Sequence, residues 1–346
     1  MHDLSKPVYF DIDGLCQLKV YGDAALVHAV ASELKFYEIE PGEKPLTLDL
    51  EIELARLSSF SKSLNPRGMP PFDFPGRHKL ARWMIRFERL SQPPRRIRFY
   101  GNFASRLIVA KQVVEPAIRW LAQPLGFIFT HSTCICNDSR GALVAGQGGS
   151  GKTRLLLRWL AKGNPFLSDD YTILSYGQAR RFVTPLRIGA RLLAESGAGN
   201  NLSASRKVEV YARTVLRRLL FGYAKLQAKV DIRELFPQVK IPETLPLKAV
   251  VIISGRDKKL VKIDPEEAAE FLARINREEM YGFADCLVAL SELTNDPELC
   301  DFFVYQKERL TEFLKPIACH KIGALRDFRR DELDGLLEEI SRLSFK

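Results

Sequence analysis

Along the first hundred residues, apolar and polar positions alternate in short runs. "PVYFDID" (7–13), "CQLKVYG" (16–22) and "LTLDLEIE" (46–53) have the period of two that a half-buried strand needs. "AALVHAVASEL" (24–34) spaces its apolar residues for one helix face. The stretch "SLNPRGMPPFDFPG" (63–76) carries four prolines and two glycines and predicts irregular chain. "SQPPRRIRFYG" (91–101) predicts a loop leading into a strand. Residues 1–102 therefore read as a small α+β domain, without a catalytic signature.

From 103 the pattern changes. "FASRLIVAKQVVEPAIRWLAQ" (103–123) predicts a helical run with a kink at Pro116. "GFIFTHSTCIC" (126–136) reads as one strand, "NDSRG" as a tight turn and "ALVAG" (142–146) as a short apolar strand. A glycine-rich stretch follows, then the helix "KTRLLLRWLAKG", with its stop at Gly163. "PFLSDDYTILS" and "RRFVTPLRI" bracket the turn "YGQA" and predict a hairpin. "ESGAGNNLSASRK" is irregular and basic, and a helix carrying Arg213, Arg217, Arg218, Lys225 and Lys229 comes next. "LKAVVIISG" is a buried strand. Asp264-Pro265 and Asp296-Pro297 look like helix starts, with proline at the first helical position. The tail from Cys319 reads as strand, loop and helix. The division expected is 1–102, a core at 103–260, and a mainly helical C-terminal extension at 261–346 that completes the core.

Composition narrows the class. The 346 residues are 46% hydrophobic, enough to bury a sizeable core, and contain no run long enough for a membrane span. The N-terminal residues lack a signal-peptide core, so a cytoplasmic protein is the default expectation. Cys16, Cys134, Cys136, Cys286, Cys300 and Cys319 form no CxxC pair and read as buried thiols. Cys134 and Cys136 alternate onto one strand face. A net charge of +10 favours an acidic partner. It is spread along the chain, which fits a solvated basic surface better than a nucleic-acid groove.

The chemistry lies in Gly146-Gln147-Gly148-Gly149-Ser150-Gly151-Lys152-Thr153, a full match to G-x-x-x-x-G-K-[ST]. The glycines let the backbone turn its N–H groups toward phosphate oxygens, and the helix that follows offers its positive end to the same anion. Lys152 is expected to neutralise the β- and γ-phosphates, and the Thr153 hydroxyl to hold Mg²⁺. The next strand ends in Asp169-Asp170. One carboxylate beside Mg²⁺ is general in such proteins, and an acceptor hydroxyl needs a base. We assign Asp169 to the metal shell and Asp170 to the acceptor, against the plain alternative of a turn or cap. His131 precedes the loop on a strand expected to pair beside it. On spacing alone, a lone histidine is more often structural than functional.

The pattern H…G-x-x-x-x-G-K-T…S-D-D resembles the catalytic domain of the HPr kinase/phosphorylase family, over roughly residues 105 to 200. That family's core is similar to phosphoenolpyruvate carboxykinase. The resemblance implies an α/β fold with a mixed sheet and a phosphate-binding loop. It implies His131, Lys152 and Asp170 in the active site, Thr153 on Mg²⁺, and Asp170 as the base taking a serine proton. Glu195, in "LLAESG", falls where the family has a metal-binding glutamate, and reads equally well as a surface glutamate before a glycine turn. Arg187, Arg191 and Arg213 are candidates for its catalytic arginine. The loop ends in Thr where the family usually has Ser. The family's second signature is absent, so HPr itself is not implied as the substrate.

The expected activity is transfer of the γ-phosphate of ATP, with Mg²⁺, to a hydroxyl-bearing acceptor, foremost a serine of a protein or peptide. No membrane partner is expected, and a homo-oligomer is compatible with the pattern. Two other readings stay open. One is a nucleotide-binding regulator with slow or no turnover, and the other is a nucleic-acid-dependent ATPase.

Overall fold

In the computed structural model, which describes residues 4–42, 46–60, 72–90, 92–219, 227–280, 282–296, 299 and 305–345, the alternating runs of the N-terminal segment become strands. They are β1 (Leu4–Asp11), β2 (Gln17–Asp23), β3 (Glu38–Ile39), β4 (Leu50–Arg56), β5 (Phe72–His78), β6 (Ala81–Arg89) and β7 (Arg95–Gly101). They form one sheet, in the order β3-β1-β2-β4-β7-β6-β5. The period of two sorts the side chains. Leu18, Val20, Ile52, Leu54, Ile97 and Phe99 are buried, while on the other face Glu51 lies 3.5 Å from Lys19 and 2.6 Å from Arg96. Helix α1 (Ala24–Leu34) starts where the Asp23 side chain accepts from the backbone N–H of Ala25 and Leu26.

Two expectations for this region need correction. Residues 72–76 are not irregular, because Phe72–His78 is a strand. It lies at the sheet edge, where a proline such as Pro75 can face away from the ladder. At Gly76 a Cβ would stand 2.2 Å from the Trp83 ring, so the glycine makes room for that ring. The rest of the proline-rich stretch, 63–71, lies outside the described residues, as do Pro297 and Cys300. The helical run after 103 is also not one kinked helix. It is a 3₁₀ turn (Phe103–Leu107), a π-turn (Ala110–Val114) and α2 (Glu115–Ala122), with Pro116 in the first turn of α2. The missing N–H of Pro116 is tolerated there, and the irregularity falls ahead of it.

The chain divides into two units, Met1–Phe127 with Arg277–Tyr305, and Ile128–Asn276 with Gln306–Lys346. The first therefore takes in 103–127 and 277–305 besides the N-terminal segment. The second holds β8 (Ile128–Thr130), β9 (Ser132–Cys136), β10 (Gly141–Gly146), α3 (Lys152–Leu160), β11 (Phe166–Ser168), β12 (Thr172–Ser175), β13 (Gln178–Arg180), β14 (Leu186–Ile188), α4 (Ala190–Ser196), α5 (Ala204–Leu219), β15 (Ala228–Val230), α6 (Ile232–Leu235), β16 (Thr244–Ile253) and β17 (Val261–Lys262). Helix α7 (Pro265–Glu279) starts at Asp264-Pro265 as expected. Helix α8 (Phe283–Thr294) belongs to the first unit, and α9 (Gln306–Leu314), β18 (Ala318–Ile322) and α10 (Arg330–Phe345) complete the second. The whole is a mixed α/β fold.

The large sheet of the second unit runs β11-β9-β10-β16-β13-β12-β8, with β18 also on β16. Strand β10 is parallel to β16, and β16 is parallel to β18, whereas β9 is antiparallel to β10 and to β11. The carboxyl ends of β10, β16 and β18 thus point the same way. Cys134 and Cys136 are buried with Leu143, Val250, Ile252, Leu272 and Leu314 in one core, and the cysteines of the described residues are free thiols.

Residues 126–136 are not one strand. The chain breaks at His131 between β8 and β9, and again at Asp169–Tyr171 between β11 and β12. Strand β8 pairs with β12, and β9 pairs with β11. Both breaks therefore fall together, at a joint where two strands pass from one limb of the sheet to the other. Buried hydroxyls satisfy one another there. Ser132 donates to Thr172 at 2.9 Å, and Ser168 and Thr172 share a bond of 2.7 Å. Lys229, expected on a helix, lies in β15 instead. Lys225 lies outside the described residues. Among the described residues no helix is long and apolar enough to cross a membrane.

Candidate functional site

Strand β10 ends at Gly146 and α3 begins at Lys152, so the glycine loop joins a buried strand to a helix N-terminus. Gly149 and Gly151 have φ of +83° and +105°, a region closed to most side chains. At Gly151 a Cβ would also stand 2.8 Å from Leu325 Cβ. The backbone N–H of Leu325 donates to the Ser150 carbonyl at 2.8 Å, which ties the loop to the segment after β18.

Lys152 is buried, and its ammonium curls under the loop. It donates to the Gly146 carbonyl at 2.5 Å and stands 3.1 Å from His131 Nε2. The joint in the sheet presents that histidine. The His131 backbone N–H is held by Asn276 Oδ1 at 2.9 Å, and its ring meets the Tyr171 ring edge-on with centroids 5.4 Å apart. Asp169 is buried in the same joint. Thr133 of β9 donates to its Oδ1 at 2.5 Å, and Thr153 of α3 to its Oδ2 at 3.2 Å. Burial, and then the Asp170 carboxylate, push the Asp169 carboxyl above its ordinary range. Hydrogen bonds from Thr133 and Thr153 and the charge of Lys152 oppose this. Asp170 is half-buried, with φ of +72°. Asp tolerates that left-handed conformation better than most residues do. Its carbonyl accepts from the Ser132 N–H at 3.1 Å, which fixes the turn across the joint.

The structure thus gathers His131, Lys152, Thr153, Asp169 and the turn at Asp170. It does not bring Glu195 to them. Glu195 is paired with Arg154 at 2.6 Å and with Arg191 at 2.8 Å, which hold its carboxyl below the usual range despite partial burial. Among the described residues no three His, Cys, Asp or Glu side chains converge as a metal site, so Glu195 does not join the aspartates. Arg154 also donates to the Phe328 carbonyl at 2.7 Å. Its pairing with Glu195 therefore braces α3 against α4 and the turn before α10. The other arginine candidates lie elsewhere. Arg213 pairs with Glu209 at 2.8 Å within α5, and Arg187 lies in β14.

Sequence reasoning missed the other flank of the loop. A cleft of about 250 Å³ opens there, lined by Gln147 to Ser150, Ile253 at the end of β16 with Ser254 and Gly255 after it, Phe271 and Arg274 of α7, Ala324 and Arg326. The Arg274 guanidinium lies over the Phe271 ring, 5.3 Å from its centroid. These residues are far from the loop in sequence and carry no local motif. Their signal is topological: ligands in open α/β sheets bind beyond the carboxyl ends of parallel strands.

The oxygen donors present suit Mg²⁺, a hard cation that takes one or two carboxylates and completes its shell with phosphates and water. Thr153 Oγ1 and the Asp169 carboxylate are such donors, 3.2 Å apart at the loop's end. In comparisons with known proteins, no family model matches the chain and no curated protein matches it.

Proposed function

We propose that the chain is a kinase that transfers the γ-phosphate of ATP to a hydroxyl, with serine of a protein or peptide as the first acceptor class. One observation carries this reading: the loop lysine meets His131 at 3.1 Å, while Thr153 of the same helix meets Asp169 at 3.2 Å. A loop that only binds nucleotide needs neither the histidine nor a second carboxylate. The likeness of this residue set to the HPr kinase/phosphorylase active site points to a hydroxyl acceptor rather than water.

In this reading the loop N–H groups and Lys152 bind and orient the phosphates. Thr153 and Asp169 would hold Mg²⁺, which when bound supplies positive charge to the β- and γ-phosphate oxygens. Asp170 accepts the proton of the acceptor hydroxyl as its oxygen bonds to the γ-phosphorus and the bond to the leaving β-phosphate oxygen breaks. His131 lies on the Lys152 ammonium, where it positions the lysine and faces the charge that builds on the transferred group. Asp169, buried and held by two threonine hydroxyls, is suited to a fixed ligand. Asp170, half-buried at a turn, is suited to meeting an incoming substrate.

The test incubates the full chain and Mg²⁺ with γ-labelled ATP and, separately, serine, serine peptides, sugars, DNA and RNA. Label on a hydroxyl acceptor, lost in Asp170→Asn, is the expected result. Label released only to water, or release that depends on DNA or RNA, sinks the kinase reading.

A further inference from the structure

The groups around the glycine loop are sorted by side. His131 and Asp169 stand on the β9 and β11 flank. The cleft with Phe271, Arg274 and Arg326 stands on the β16 and β18 flank. A nucleotide whose terminal phosphate reaches Lys152 and Asp169 must carry its nucleoside end away from them. The opening on the opposite flank is this cleft.

Its lining is suited to a flat ring. Phe271 is partly buried and packs against the core that contains Leu272 and Leu314, so its position is fixed. The ring is reached from the cleft and already carries one planar group, the Arg274 guanidinium. Arg274 is exposed on α7, and the Arg326 side chain is 72% exposed beside the loop. Both can swing toward phosphate, where a guanidinium bonds bidentately. Among the described residues, the lining contains no carboxylate to accept from the N1–H and exocyclic amine of guanine. A base held by stacking alone is held through its π face, which adenine and guanine share, and a smaller pyrimidine offers less of it.

We propose that Phe271 is the base platform of this site, and that the donor is any purine nucleoside triphosphate, chosen by stacking and not by its base edge. This rests on the kinase reading's placement of the phosphates on the glycine loop. In the bound state the base lies on the Phe271 face now covered by Arg274, and Arg274 and Arg326 turn to the phosphates.

The test is competition binding with Mg²⁺ of ATP, GTP, CTP and inorganic tripolyphosphate, on the full wild-type chain and on Phe271→Leu. In the wild type, ATP and GTP should bind within a few-fold of each other and more tightly than CTP. Phe271→Leu keeps apolar bulk and loses the π face. It should weaken ATP and GTP by roughly ten- to a hundredfold and leave tripolyphosphate unchanged. Equal loss for ATP and tripolyphosphate assigns Phe271 to support of the loop and overturns the proposal. No loss for either places the base elsewhere and overturns it too. If Phe271→Leu fails to fold, Phe271→Trp takes its place. It should tighten ATP and leave tripolyphosphate alone, and unchanged ATP affinity counts against the platform. A wild type that binds neither ATP nor tripolyphosphate overturns the loop reading beneath, a failure distinct from loss of base selectivity.

Discussion

Lys152 Nζ and His131 Nε2 face each other at 3.1 Å. An ammonium has only protons to offer, so Lys152 donates and the imidazole nitrogen accepts. The Gly146 carbonyl accepts a second hydrogen bond from the same ammonium. The lysine is thus held between the loop backbone and the sheet joint, and its direction depends on both. His131→Ala should cut phosphoryl transfer by about 10²–10³-fold while Mg-ATP affinity changes little. The measurement is paired: melting temperature beside turnover per nucleotide-binding-competent molecule. A variant that melts lower but turns over normally per folded molecule returns His131 to a structural role.

Lys152→Ala removes a charge-assisted contact to phosphate, a class that contributes on the order of 1.5–3 kcal/mol. Mg-ATP affinity should drop roughly ten- to a hundredfold by calorimetry. Unchanged affinity in this variant is incompatible with phosphates on the glycine loop.

The two aspartates should separate. Asp170→Asn preserves shape and removes the proton acceptor, so transfer should fall by about 10²–10⁴-fold with Mg-ATP binding nearly intact. Asp169→Asn should instead raise the Mg²⁺ concentration needed for half-maximal rate. Identical behaviour of the two variants, in rate and in Mg²⁺ dependence, refutes this division.

Asp169 also makes a pH-dependent contribution to stability. Its carboxyl titrates above the ordinary range in the folded chain, because burial and then Asp170 oppose its ionisation. The folded state therefore binds this proton more tightly than the unfolded chain does. The stabilisation is complete at low pH and is lost as pH rises through the raised value. Without Mg²⁺, Asp169→Asn should melt above the wild type at neutral pH, and the gap should close below about pH 4, where the unfolded carboxyl is protonated too. A wild type that melts no lower than the variant at neutral pH contradicts this.

Glu195→Gln tests the ion pair against the metal role implied by resemblance. It weakens the half-buried pair with Arg154 and the exposed pair with Arg191, while the neutral amide can still accept from both guanidiniums and Arg154 keeps its bond to the Phe328 carbonyl. A small drop in melting temperature and an unchanged Mg²⁺ requirement are expected. A clear rise in the Mg²⁺ requirement would restore Glu195 to the metal site.

The glycine loop, the strand before it and the helix after it were legible because each is written in a short window: apolar run, glycines, apolar-periodic helix. The joint at His131 was not. Neither Gly nor Pro marks the break in "GFIFTHSTCIC", and both halves favour strand. They part because Thr130 pairs with Thr172 while Cys134 pairs with Ser168, a choice made by distant partners. Phe72–His78 was missed for the opposite reason, since Pro75 and Gly76 signal a break that an edge strand does not require. Glu195 lies at the spacing of a metal-binding glutamate, but Arg154 and Arg191 take its charge. The Phe271 cleft is assembled from four chain segments, and no window of sequence contains it.

The bond between Leu325 N–H and the Ser150 carbonyl makes the shape of the glycine loop depend on a segment synthesised much later. A chain leaving the ribosome presents its glycine loop long before β18 and Leu325 exist to brace it, and folding of a unit follows its synthesis. The strand β18 that delivers Leu325 lies beside β16, beyond the excursion of residues 277–305 into the first unit. Nascent chains therefore carry the whole nucleotide motif without its finished shape. In the proposed reading, turnover waits for the last segment to dock, and a polypeptide stalled before residue 325 should bind nucleotide less well than the full chain although it contains all the residues of the motif.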